Sequence, residues 1–228
     1  MNTDFKARGS RGEIWLYDPV GSSYFGDAVS AKMFQKELTA LGKVDSISLH
    51  INSPGGDVFD GFAIYNMLKA HPATVVVDVD GLAASIASII AMSGDTIRMA
   101  KNSMMMIHDP QGFAMGNSSE MQRTAALLDT VKGNLAETYV ARTGAELVQV
   151  ENWMTDETWF TAEQALANKF ADKVTEDTRI AACFDLAAFH NVPKALRERM
   201  ENTVPSPLLN RHRAGIVSLD RRVAVLCQ

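Results

Sequence analysis

The chain has 228 residues, a net charge of −5 and two cysteines, Cys183 and Cys227. A chain of this length can bury a sizeable core without disulfides or a structural metal, and its acidic balance argues against a nucleic-acid polyanion as partner. The cysteines lack metal-ligand spacing, no stretch reaches the ~18 apolar residues of a membrane span, and residues 1–12 lack the apolar core of a signal peptide, so a soluble, cytoplasmic protein is expected, with no metal or other cofactor.

Residues 1–12 are polar and rich in Gly, Ser and Arg, which predicts a flexible lead-in before a domain over 13–177. Glu13-Ile14-Trp15-Leu16-Tyr17 reads as a first strand, closed by Asp18-Pro19 and a Gly/Ser loop. Asp27 is the expected cap of a helix whose Val29, Met33, Phe34, Leu38 and Leu41 recur every three to four residues, with Gly42 as its stop. Residues 46–51 alternate, placing Ile47, Leu49 and Ile51 on one face of a strand that ends in Asn52-Ser53-Pro54-Gly55-Gly56-Asp57. The following helix is expected to turn Phe59, Phe62, Ala63, Met67 and Leu68 inward and to end before His71-Pro72. A β-branched strand over 74–79, a helix over 85–93 and short strands over 96–100 and 104–107 come next.

Strand and helix alternate in a rhythm that argues for βαβ units and a mostly parallel, buried sheet, hence the α/β class. Asn117-Ser118-Ser119-Glu120 has the form of a capping box opening an amphipathic helix over 118–142, with Met121, Ala125, Leu128, Leu135 and Tyr139 as its stripe and Gly144 past its end. Its length, well beyond the ~11-residue mean, predicts that part of it projects from the domain. A shorter helix over 145–153, a helix over 162–168 capped by Thr161, and residues 170–174 complete the domain. Over 194–228 there are seven Lys/Arg against three Asp/Glu, with Pro193, Pro205 and Pro207, and the segment 178–228 reads as a partly helical, otherwise flexible tail.

Ser85 falls where a buried strand hands over to a helix, in Asp80-Gly81-Leu82-Ala83-Ala84-Ser85. Taken alone it reads as a helix cap. Nucleophilic acyl chemistry would need, besides such a hydroxyl, a base, a group to orient that base, and N–H donors for an oxyanion. His108 is the one histidine with an apolar strand on one side and a turn on the other, in Met106-Ile107-His108-Asp109-Pro110, and a strand end aims a base rigidly. His50, His71, His190 and His212 read as structural or solvated. Asp109 neighbours His108 on a strand, so it is expected to face the other way and not to pair with it. Gly55-Gly56 lets the main chain approach a substrate closely, and the Ile86 N–H, just after Ser85, is a natural second donor to an oxyanion. Alanine on both sides, at 83 and 87, distinguishes this turn from the Gly-x-Ser-x-Gly elbow of α/β-hydrolases.

Four ordered blocks, Asn52-Ser53-Pro54-Gly55-Gly56, Gly81-Leu82-Ala83-Ala84-Ser85, Met106-Ile107-His108-Asp109-Pro110 and Trp159-Phe160-Thr161-Ala162-Glu163-Gln164-Ala165, resemble the signature of the Clp protease proteolytic subunit (ClpP, the S14 serine peptidases) over about 12–174. The form Asp156-Glu157-Thr158-Trp159-Phe160-Thr161-Ala162 resembles the phage and prophage branch, the ClpP-like prohead (head-maturation) proteases. The resemblance implies the ClpP/crotonase fold of repeated βαβ units in a spiral, with the helix 118–142 as a projecting handle. It implies Ser85 as nucleophile, His108 as general base, Gly56 and Ile86 N–H groups as oxyanion hole, and Gly55-Gly56 against the substrate. Glu157 stands where an aspartate is usual, with Asp156 beside it as the alternative acid. Implied partners are peptide or protein substrates, further copies of the chain in stacked rings, and a separate AAA+ unfoldase or capsid proteins. The chain has no Gly-x-x-x-x-Gly-Lys-Ser/Thr loop, so any ATP use would belong to such a partner.

Two other readings compete. A crotonase-type acyl-CoA enzyme would share the fold but leave the Ser85/His108 pair idle, and a catalytically weak structural ring subunit draws support only from Glu157.

Overall fold

The computed structural model describes residues 3–22, 28–176, 186, 189–194 and 196. Asp27, His212, Cys183, Cys227 and most of the tail over 178–228 lie outside the described residues. The chain divides into two compact units, Met1–Asn191 and Val192–Gln228, so the first runs past the expected boundary at Asp177.

The fold begins earlier than expected. Residues Asp4–Arg8 (β1) pair antiparallel with Arg11–Leu16 (β2), whereas a flexible lead-in was predicted there. Gly9 takes a positive φ in the two-residue turn, and Phe5 packs edge-on against Phe34, which anchors an otherwise polar strand. From β2 the chain builds three βαβ steps through Ala31–Ala40 (α1), Ser46–Ser53 (β3), Val58–Ala70 (α2), Thr74–Ala84 (β4), Ile86–Ala91 (α3) and Thr96–Ala100 (β5), all four strands parallel. Met104–Ile107 (β6) pairs parallel with the far half of β4 and antiparallel with Thr158–Thr161 (β7), while Lys173–Thr175 (β8) joins β5. Ile47, Leu49, Ile51, Val77, Ile97 and Met99 are fully buried, as a parallel sheet covered on its faces requires.

Ser30, not Asp27, caps α1, its side chain accepting from the Met33 N–H. In α2 the buried positions are Gly61, Ile64 and Leu68; Phe59, expected inward, is 64% exposed. Gly61 lies so close to Ile86 that a side chain there would collide with it, which fixes that face of α2 on α3. Phe59, two residues earlier, is carried to the opposite side.

Ser118–Thr143 (α4) has the expected capping box of Asn117 and Glu120, and Gly144 ends it in the left-handed conformation. Its buried stripe is confined to the C-terminal half, at Val131, Leu135, Ala136, Tyr139 and Thr143; Met121 and Ala125, placed in the stripe from the sequence, are exposed. The N-terminal half therefore extends beyond the protomer's own core. Leu147–Thr155 (α5) and Ala162–Ala167 (α6, capped by Thr161) flank β7.

Candidate active site

β4 is long enough to serve two partners. Its first half pairs with β3 and β5, and its second, Leu82, Ala83 and Ala84, with β6. The register shifts between Ile51 and Ser53 as β4 passes Gly81, where a side chain would press on the Asn52 amide. The strand then stops at Ser85, which holds φ 54° and ψ −130°. A non-glycine residue in that region costs on the order of 1–3 kcal/mol, and the surroundings hold it there. The Ser85 N–H donates to the Met106 carbonyl at 2.9 Å; its carbonyl accepts from the Ser88 N–H at 2.9 Å and the Ser88 hydroxyl at 2.6 Å. Ser88 in turn shares a hydrogen bond of 2.7 Å with the buried Tyr139 hydroxyl on α4.

Ser85 sits at the N-cap position of α3, yet its side chain makes no capping bond. Its Oγ lies 2.8 Å from His108 Nε2 instead. The capping reading of this serine fails on that contact.

His108 follows β6 directly, and the next residue pins it. The Asp109 N–H donates to the Met154 carbonyl at 3.1 Å, while the Asp109 carboxylate accepts from Lys132 Nζ at 2.9 Å and Thr155 Oγ1 at 3.2 Å. Asp109 is thus occupied elsewhere, as strand alternation predicts. Across the antiparallel ladder Ile107 faces Thr158, so one further step of the register sets His108 against Glu157.

Glu157 is 6% exposed and has a positive φ of 48°. Its Oε1 accepts from the Asn191 N–H at 2.6 Å and the Trp159 indole at 3.2 Å, and its Oε2 from the His190 N–H at 2.9 Å. Asp156, the alternative acid, is exposed, and its carbonyl accepts from the Asn191 side chain. Burial pushes the Glu157 carboxyl up, but the His190, Asn191 and Trp159 donors and the charge of His108 outweigh it and hold the group below the usual carboxylate range. Burial also depresses the His108 imidazole, against the opposing pull of Glu157 and Asp109 and with help from His190, so its net position is below 6.5.

That depression has a kinetic consequence. A general base works in its neutral form, and a lowered imidazole keeps that form to lower pH. The acidic limb of kcat/KM against pH is therefore expected to have its midpoint below 6.5, the ordinary imidazole value. A midpoint above that value in a peptide-ester assay would contradict this.

Gly55 and Gly56 form the opposite side of the cleft. The Gly55 carbonyl and the Asp57 N–H both bond to Val20, which in a parallel bridge leaves the Gly56 N–H directed away from Val20. Gly55 is packed so tightly that a Cβ on it would stand 2.8 Å from Ser85 Cβ and 3.1 Å from the Ile86 nitrogen. The Gly55-Gly56 backbone, Ser85, Ile86, His108 and Phe189 thereby line one cleft of about 280 Å³.

Of the residues singled out from the sequence, Ser85 and His108 are joined directly, Glu157 is the neighbour of His108 across the ladder and acts on its charge, and Gly55, Gly56 and Ile86 complete the same cleft. His50 is tied to Asp80 at 2.8 Å and stacked on Trp15, and His71 accepts from the Ala73 N–H, away from the cleft. Sequence reasoning missed Ser88 as a brace for Ser85, although its i+3 spacing on a helix gave a signal. It also missed residues 189–191, for which nothing local gave one. Among the described residues no group of three or more His, Cys, Asp or Glu could hold a metal ion, and no helix is long and apolar enough to cross a membrane.

Comparison with known proteins places most of the chain in a family. Residues 10–178 match the Clp protease family. The chain is 34% identical over 165 residues to the ATP-dependent Clp protease proteolytic subunit 1 of Protochlamydia amoebophila, covering 71% of this chain and 79% of that one. It is 32% identical over 158 residues to the ATP-dependent Clp protease proteolytic subunit of Porphyromonas gingivalis, covering 67% and 71%. With subunit 1 of Leifsonia xyli it shares 31% identity over 171 residues, covering 74% and 85%.

Proposed function

This chain belongs to the Clp protease family of serine peptidases, and we propose on that premise that it is an endopeptidase working through Ser85, His108 and Glu157. The observation that carries the reading is the 2.8 Å contact between Ser85 Oγ and His108 Nε2, made by a serine held at positive φ and free of any capping bond. A peptide carbonyl bound in the cleft is attacked by Ser85 Oγ as its proton passes to His108 Nε2. The tetrahedral oxyanion is received by the Gly56 and Ile86 N–H groups. His108 then protonates the leaving amine, and water, deprotonated by the same imidazole, releases the acyl group. Glu157 supports the imidazolium that forms in both steps. The register and the burial of its carboxylate favour it over Asp156 for that role.

The crotonase-type reading leaves the Ser85–His108 contact without a task, and nothing in the cleft favours it. Fluorophosphonate labelling separates the two: a single adduct on Ser85 is expected, and an unlabelled Ser85 in folded, assembled protein would remove the peptidase reading.

Assembly and biological role extend the proposal. The N-terminal half of α4 exposes Met121 and Leu127, and a groove of about 590 Å³ beside it is lined by Phe59, Phe113, Leu127 and Leu128. An apolar surface of this kind supports contact with further copies in stacked rings, which the native mass of the particle tests. The block at residues 156–162 supports capsid proteins as substrates, in head maturation. Cleavage of a capsid scaffold by the wild type but not by Ser85→Ala is the expected result, and an intact scaffold in both would oppose it.

A further inference from the structure

The match to the Clp protease family ends at residue 178, yet one wall of the cleft comes from beyond that end. We propose that residues 189–191 are a positioning element of the catalytic centre, whose main chain clamps the Glu157 carboxylate beside His108 while the Phe189 ring packs on His108 and Trp159. The proposal rests on the reading of Glu157 as the acid partner.

Two consecutive main-chain N–H groups, of His190 and Asn191, converge on the two oxygens of one buried carboxylate at 2.9 and 2.6 Å. The Asn191 side chain adds a bond of 2.7 Å to the carbonyl of Asp156, so the segment is tied both to the Glu157 side chain and to the main chain just before it. Phe189 stands edge-on to His108 with ring centroids 5.7 Å apart, and edge-on to Trp159 at the same separation. Trp159 is itself the third donor to Glu157. The three donors that fix the acid, and the ring packed on the base, are thus in this segment or in contact with it.

The chemistry gives the segment a task. A glutamate has one more rotatable bond than an aspartate and more freedom to lose when fixed. A buried carboxylate without donors would take up a proton or swing towards water. Three N–H donors keep this one charged and in place. The charged and titratable groups facing His108 are Glu157 across the ladder, Asp109 next in the chain and itself paired with Lys132 of α4, and His190.

The test is made on the full chain with a peptide substrate. Asn191→Pro deletes one N–H donor, whereas Asn191→Ala keeps it and removes only the bond to Asp156. Asn191→Pro is expected to lower kcat roughly 10- to 100-fold with KM little changed, the range typical of partners that orient a reacting group, and Asn191→Ala to change it less than about threefold. In a Glu157→Gln background Asn191→Pro is expected to cost nothing further, because its effect passes through the charge it no longer holds. The acidic limb moves in opposite directions in two variants. Loosening Glu157 by Asn191→Pro weakens support for the imidazolium and shifts the limb to lower pH. Phe189→Ala admits water to the imidazole and shifts it up towards 6.5. Equal activity of Asn191→Pro and Asn191→Ala, or equal losses with and without the Glu157 charge, overturns the proposal. Should circular dichroism show that Asn191→Pro does not fold, Phe189→Ala decides, and an unmoved acidic limb overturns it. An unlabelled Ser85 in the wild type sinks the peptidase reading and this proposal together; a labelled Ser85 with indifferent variants sinks this proposal alone.

Discussion

Ser85→Ala is expected to lower kcat for peptide hydrolysis by a factor on the order of 10⁵ to 10⁶, with stability changed by no more than about 1 kcal/mol. Both halves follow from where the side chain points. Its hydroxyl is committed to His108 at 2.8 Å and caps nothing, so removing it takes away the proposed nucleophile and one hydrogen bond but no helix cap. The main-chain bonds that hold the turn, to Met106 and from Ser88, are untouched by the substitution. Alanine keeps the Cβ and hence the same positive-φ strain. Steady-state peptide hydrolysis and unfolding in urea are the two measurements. A destabilisation of 2 kcal/mol or more, with activity reduced only in proportion to the unfolded fraction, would return Ser85 to a structural role.

The contrast with other positions explains what a sequence can disclose. Strands such as 96–100 and 104–107 were legible to the residue because short apolar runs between turns leave little choice of register. The start of α4 at Asn117 was legible because a capping box is local chemistry. The hairpin of β1 and β2 was not, since β1 is polar and its one aromatic anchor, Phe5, packs on Phe34 of α1, which no local pattern ties to it. The inward face of α2 was misread at Phe59, whose large apolar side chain outweighed a glycine, and the glycine was the contact, whereas Phe62 and Leu68 do face the core. At the site, the strand-end positions of Ser85 and His108 were legible, but position alone left Ser85 reading as a helix cap. Their pairing across 23 residues needed β4 and β6 to be neighbours. The hold on Glu157 depends on residues more than 30 positions away, and no spacing rule reaches that far.

Gly56→Ala is the second large expected loss, and it differs in kind from the first. Gly56 has φ 145°, a backbone conformation that L side chains rarely adopt, and a methyl group there would fall inside the contact radius of the Val20 carbonyl oxygen. That oxygen is main chain, held by the Asp57 N–H at 2.9 Å, so no rotamer change can relieve the collision. The Gly55–Asp57 segment must tilt off Val20, and the tilt carries the Gly56 N–H away from the place where the oxyanion forms. Loss of one oxyanion donor alone lowers kcat about 10²- to 10³-fold, and the broken bridge and backbone strain add a destabilisation of about 1–3 kcal/mol. Unlike Ser85→Ala, this variant keeps nucleophile and base. It should still form a fluorophosphonate adduct at Ser85, but slowly, in step with its loss of kcat, because the phosphonyl oxygen needs the same donors. Rapid labelling at the wild-type rate together with impaired peptide hydrolysis would move the oxyanion site away from Gly56. A fully active, less stable Gly56→Ala would leave the glycine as packing alone. The proportional slowing is the outcome expected when the turn that only glycine allows at position 56 also aims its N–H at the transition state.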